Sequence, residues 1–114
     1  MTKKNAIYPL VLTSVDATAI AIDTWTYFDA EGIEGSCFLL RITNDSDADV
    51  FISYNGDDRH EFIAAGDTID MNFQTNSSPS GHVSKVAKWT RLSVQGTAAQ
   101  AGDVYLSGYY NADF

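Results

Sequence analysis

Apolar and polar residues alternate along this chain in short runs, and no stretch keeps the three-to-four-residue spacing of an amphipathic helix over ten positions. The cleanest run is Asp49 to Tyr54. There Val50, Ile52 and Tyr54 share one face of a strand while Phe51 and Ser53 take the other. Cys37 to Thr43 makes a second strand, and the polar stretch Asn44-Asp-Ser-Asp-Ala48 between the two reads as a turn. Asn55-Gly56 follows directly. Both residues tolerate positive φ, so the pair predicts a type I′ turn. His60 to Ala64 and Thr68 to Phe73 read as two more strands around the turn Ala65-Gly66-Asp67.

The flanks follow the same pattern less strictly. Ile7 to Leu12 is apolar and β-prone, Ala17 to Ile22 alternates weakly, and Trp25-Thr-Tyr-Phe28 is aromatic and β-branched. Asp29 to Gly35 holds two glycine breakers and reads as a loop, as does the Asn-, Ser- and Pro-rich segment Gln74 to His82. Ser84 to Lys88 allows one helical turn at most. Trp89, Arg91 and Ser93 alternate with Thr90, Leu92 and Val94, and Val104 to Tyr110 forms the last strand after a small-residue turn at Gly96 to Gly102. Seven to nine short strands at a spacing of roughly 8–12 residues predict an all-β fold, a single antiparallel β-sandwich of jelly-roll or Ig-like type. One domain spans residues 1–114, with residues 1–12 as an N-terminal arm or edge strand.

Charge narrows the partners. Fifteen acidic residues face seven basic ones, for a net charge of −8, and Lys85, Lys88 and Arg91 make the one loose basic cluster. Nucleic-acid binding needs a basic surface that displaces counterions from phosphates, so neither nucleic acid nor anionic membrane is expected as a partner. Cys37 is the one cysteine, which excludes a disulfide within the chain, and its apolar setting reads as a buried, inert thiol. The start, Met1-Thr-Lys-Lys with Ala6 to Leu12 after it, faintly resembles a signal peptide. Pro9 and Asp16 interrupt that pattern, and the chain reads as made in the cytosol without a membrane anchor.

Candidate chemistry is sparse. Asp45, Asp47 and Asp49 invite a calcium reading, but Val50 and Gly56 stand where the helix-loop-helix motif requires Gly and Glu. A solvated hairpin tip explains the run more simply. His60 and His82 lie apart without a cysteine partner, and there is no Gly-x-Ser-x-Gly elbow or phosphate-cradling glycine loop. The expectation is a non-enzymatic protein with no catalytic, cofactor-binding or metal-ligating residues. Apolar and aromatic anchors remain, and Tyr8, Leu10, Trp25, Trp89, Tyr109 and Tyr110 are the candidates for a protein interface.

The segment Ile42-Thr-Asn-Asp-Ser-Asp-Ala-Asp-Val-Phe-Ile-Ser-Tyr-Asn-Gly56, then Phe62-Ile-Ala-Ala-Gly66, Ser93-Val-Gln-Gly-Thr97 and Gly102-Asp-Val-Tyr-Leu-Ser-Gly-Tyr-Tyr110, resembles small β-sandwich virion proteins of tailed bacteriophages. Those carry a Ser-Tyr-Asp-Gly turn, and Asn55 stands here in place of the Asp. The resemblance begins at Cys37 and leaves the first third of the chain unmatched. It implies a structural virion component, a capsid decoration or a neck or tail accessory, made in the host bacterial cytoplasm. Its partners would be other virion proteins, with assembly as a homo-oligomer such as a trimer. The alternative is a carbohydrate- or receptor-binding β-sandwich module, touching its ligand through Trp25, Trp89 and the Gln74–His82 loop.

Overall fold

Residues 7–72, 86–97 and 101–111 are described by a computed structural model, and there the alternating runs become nine strands. They are β1 (Ile7–Pro9), β2 (Thr13–Asp16), β3 (Thr26–Tyr27), β4 (Cys37–Ser46), β5 (Val50–Ser53), β6 (Glu61–Ile63), β7 (Thr68–Asn72), β8 (Ser93–Gly96) and β9 (Gly102–Asn111). One sheet runs β1-β9-β4-β7, with β2 also on the β1 edge of β9, and the other runs β3-β8-β5-β6. All pairings are antiparallel. From β2 onward every connection except β5 to β6 crosses from one sheet to the other, which is jelly-roll order. Of the two expected sandwich types, the jelly roll is the one observed.

Alternation sets the core. Val15, Leu40, Ile42, Val104 and Leu106 face inward from the first sheet, and Val50, Ile52, Ile63 and Val94 face them from the second. Ile42, Ile52 and Leu40 are fully buried, and each such side chain contributes about 1.5–3 kcal/mol of hydrophobic stabilisation. Phe51 and Phe62, one position out of phase, point to solvent.

Four expected boundaries move, each for a local reason. The turn expected at Asn44 to Ala48 shortens because β4 continues to Ser46. Asn44 is completely buried, and its Nδ2 donates to the carbonyls of Ala48 (2.8 Å), Ile63 (3.1 Å) and Ala64 (3.3 Å). A residue that sequence rules assign to turns here ties three backbone segments together. Asn55-Gly56 does not form a type I′ turn. Gly56 has φ +77°, but Asn55 is not in the positive-φ region. Instead the Ser53 hydroxyl accepts from the N–H groups of Asn55 and Gly56, and Asn55 Oδ1 accepts from those of Asp57 and Asp58. The loop closes later, where His60 N–H donates to the Ile52 carbonyl at 2.8 Å.

The third change is at Ala17 to Ile22, which becomes a 3₁₀ turn (Ala17–Ala19) capped by Asp16, whose carboxylate accepts from Thr18 N–H and Oγ1. The fourth splits the Ile7–Leu12 run. Pro9 pairs with Tyr109, Leu10 N–H donates to the Gly108 carbonyl and Thr13 pairs with Leu106, so Val11 and Leu12 share the single position opposite Ser107. This is a β-bulge, and it turns both apolar side chains outward. The Gln74–His82 loop lies outside the described residues.

Candidate interaction site

The bulge opens a groove of about 360 Å³ whose lining includes Leu10, Val11, Ile33, Leu106 and Trp89. Val11 is 74% exposed, Leu12 59% and Trp89 54%. Scattered exposed hydrophobics are ordinary, but Val11 and Trp89 on one groove, with Leu12 next in the chain, form a patch of the kind that marks interaction surfaces. Asp29, Glu31 and Glu34 give the groove an acidic rim. Thr13 also lines it, and its hydroxyl is buried without a hydrogen-bond partner.

Trp89 is held in this position by its backbone. Its φ is +70°, unique for a non-glycine among the described residues, and the left-handed region costs a bulky residue about 1–3 kcal/mol. Two hydrogen bonds fix it: Trp89 N–H to the Ile33 carbonyl at 2.7 Å, and Ile33 N–H to the Thr90 carbonyl at 3.0 Å. Gly32 permits the approach. It has φ +94°, and a Cβ there would stand 2.3 Å from the Trp89 carbonyl oxygen. The indole is thereby aimed outward, with the Lys88 ammonium 5.0 Å from its ring centroid. On its other side a shallower hollow is lined by Tyr27, Tyr54, Asn55 and Arg91.

The outer face of the second sheet is aromatic and cationic. Phe51 and Phe62 are cross-strand partners with ring centroids 5.4 Å apart, and Phe62 is 54% exposed. The Arg59 guanidinium lies 4.2 Å over the Phe51 ring and donates to Gln95 Oε1 at 2.8 Å. Arg91 lies 4.0 Å over Tyr27. The outer face of the first sheet is acidic at one end, because register places Asp16, Asp103 and Asp45 side by side. Asp103 pushes the Tyr105 hydroxyl above its usual pKa, with burial and Asp45 adding to it. Even so, the described residues contain no group of three His, Cys, Asp or Glu side chains placed to hold a metal ion. Asp49 is turned away, accepting from Ala65 N–H at 2.9 Å.

Of the six candidate interface residues, the groove brings together Leu10 and Trp89. Tyr8 and Tyr110 stack on each other at 5.8 Å, and the Tyr110 ring fills the space that a side chain at Gly35 would need. Tyr109 is 42% exposed, and its neighbours in register, Pro9 and Leu39, place it on the outer face of the first sheet. Trp25 is half-buried and lies apart from both hollows. Sequence reasoning missed Val11, Leu12, Phe62 and the acidic rim. Two adjacent apolar residues inside a strand-like run were the one available signal of the bulge.

Cys37 is fully buried, and its thiol donates weakly to the Gly35 carbonyl at 3.5 Å. Burial, reinforced by the charge of Glu34, pushes it up to about 11. At neutral pH it is a protonated core side chain and a poor nucleophile.

No known family model matches the chain, and no curated protein matches it in sequence. Among solved structures it is similar to a protein of Bacillus endospore appendages, which form a novel family of disulfide-linked pili. The likeness covers 98% of this chain and 93% of that one, with a TM-score of 0.52 and 18% identity. Its fold resembles that of a pilus protein. The phage-virion resemblance is corrected by this finding, and with it the virion location, the virion partners and the sugar- or receptor-binding alternative. The motifs that carried it are strands and turns of the sandwich, parts of β4, β5, β8 and β9 among them, and the resemblance began only at Cys37. The appendage likeness takes in the first third of the chain as well.

Proposed function

We propose that the chain is a non-enzymatic structural subunit whose copies associate into a pilus-like filament. The near-full-length likeness to the appendage protein carries this reading and agrees with the non-catalytic character read from the sequence. The fold supplies means of self-association. Among the described residues the open sandwich has four edges: β1/β2 and β7 in one sheet, β3 and β6 in the other. Edge strands present unpaired backbone groups that a second copy can use. Contacts between unlike surfaces of identical copies propagate into filaments when the rotation does not close a ring.

One property of the similar protein does not transfer. A string of subunits joined by disulfides needs at least two thiols in each, one toward each neighbour. The 114 residues here hold one cysteine, and it is a buried core residue with its thiol pushed up to about 11. Association of these 114 residues into a string therefore does not run through disulfides. Negative-stain electron microscopy of the purified protein, with and without reducing agent, tests both statements. Filaments of equal abundance in the two samples are expected. Their absence in both, or their loss under reduction, would contradict the proposal.

A further inference from the structure

The proposal of self-association leaves open which surfaces meet, and two of them are complementary. The groove beside Trp89 is apolar within and acidic at its rim. The outer face of the second sheet at Phe62 is apolar and cationic. Phe62 stands out from an edge strand, and the neighbouring Arg59 rests on an aromatic ring and a neutral amide. Asp58, the carboxylate next to Arg59 in sequence, is engaged by Asn55 Nδ2 at 2.9 Å. Among the described residues no carboxylate forms an ion pair with Arg59, in a chain whose net charge is −8.

The two surfaces also lie on opposite sides of the sandwich. The groove is at the β1/β2 and β3 side, and Phe62 is on β6, the far edge of the second sheet. A surface cannot meet its complement within one molecule when the core stands between them. We propose that the groove of one copy receives the Phe62 and Arg59 face of the next. The phenyl ring enters between Val11 and Trp89, and the guanidinium faces the rim at Glu31. This rests on the self-association reading and supplies its contact. Aromatic residues and arginine are the side chains that most often dominate such interfaces, and an ion pair that loses its water on docking fixes the register as well. The contact is head-to-tail, so each copy retains one free groove and one free Phe62 face, and growth continues.

The test is a charge swap read by sedimentation velocity, with circular dichroism to verify folding. Arg59→Glu and Glu31→Lys both lie at exposed positions, and each alone is expected to weaken association by about tenfold or more. The double variant, which restores opposite charges across the contact, is expected to recover most of the loss. Phe62→Ser, expected to weaken association while the loss of the Phe51 ring pair lowers the melting temperature by only a few degrees, checks the apolar half independently. Wild-type association that none of these variants changes would overturn the contact and leave the filament reading standing. A wild-type protein that stays monomeric would overturn both. If removal of residues 2–5, which carry Lys3 and Lys4, abolishes association while Arg59→Glu does not, the groove belongs to the N-terminal segment of a neighbour and the proposal fails.

Discussion

Asn44 and Thr13 are polar residues on the inner side of the same sheet, and their surroundings are opposite. Asn44 sits where β4 meets the β6–β7 turn, and its side-chain amide donates to three backbone carbonyls while Ser46 donates to its oxygen. Thr13, at the β1/β2 edge, has a buried hydroxyl with no partner, and beside it Val11, Leu12 and Trp89 are held in solvent. The first region is complete as it stands. The second carries an unmet hydrogen bond, exposed apolar area and a left-handed tryptophan, costs that a folded monomer does not recover. A bound neighbour that covers the groove offsets them. Polar satisfaction is complete around Asn44, and the unmet costs gather around Thr13 and Trp89.

The largest expected effect comes from dismantling the complete side. Asn44→Ala removes a fully buried amide that bridges three carbonyls, of which Ala48 keeps the Ser46 hydroxyl and Ala64 keeps the Asp67 N–H as donors, at a cost of about 3 kcal/mol. That corresponds to a fall in melting temperature of roughly 10–20 °C, measurable by circular dichroism. Gly32→Ala acts on the other side. It places a Cβ against the Trp89 carbonyl at a positive φ, with an expected destabilisation of about 2 kcal/mol. Unlike Asn44→Ala, it should also shift the tryptophan fluorescence of the still-folded protein, because it displaces the Trp89 backbone.

Cys37 sharpens the comparison through pH. Its thiol is raised from an ordinary value near 9 to about 11 in the folded state, so folded protein keeps a proton that the unfolded chain releases. Stability is therefore full below about pH 9 and declines as the pH rises toward 11, by about 2 kcal/mol. Denaturant melts at increasing pH should trace that decline. A Cys37→Ala protein, though less stable throughout, should have a flatter alkaline limb. The tyrosines that ionise in the same range, Tyr54 among them with its hydroxyl raised to about 12, set the slope that remains.

Thr13→Val is the mildest change and the most discriminating in sign. It removes the orphan hydroxyl and keeps the shape, so the monomer should gain up to about 1 kcal/mol. A loss of stability would mean that the hydroxyl is bonded in the folded monomer.

These contrasts explain what was legible in the sequence. Strand positions followed from period-two alternation, so Val50, Ile52 and Tyr54 were put on one face, which packs on the core, and the sandwich was recognised with them. Asn44 was misplaced because turn propensity reflects a side chain's local hydrogen bonding, whereas two of its three acceptors, Ile63 and Ala64, lie on a segment about twenty residues away. Asn55-Gly56 failed for the reverse reason. The Ser53 hydroxyl competed locally and drew the backbone into a wider loop. The groove was only half visible. Leu10 and Trp89 were identifiable as large apolar residues, but the bulge, the strained φ of Trp89 and the need for Gly32 beneath it all depend on segments distant in sequence. The phage resemblance misled because it rested on strand and turn segments, which report how the sandwich is built and not what its surface meets.

The central claim is that this jelly roll associates with copies of itself without disulfide links. Sedimentation velocity of the purified protein across a wide concentration series, in the presence of a thiol reductant, addresses it most directly. The account predicts species heavier than the monomer that grow in size with concentration and are unchanged by the reductant. A single monomeric boundary at every concentration, or oligomers that vanish when the reductant is added, would contradict it.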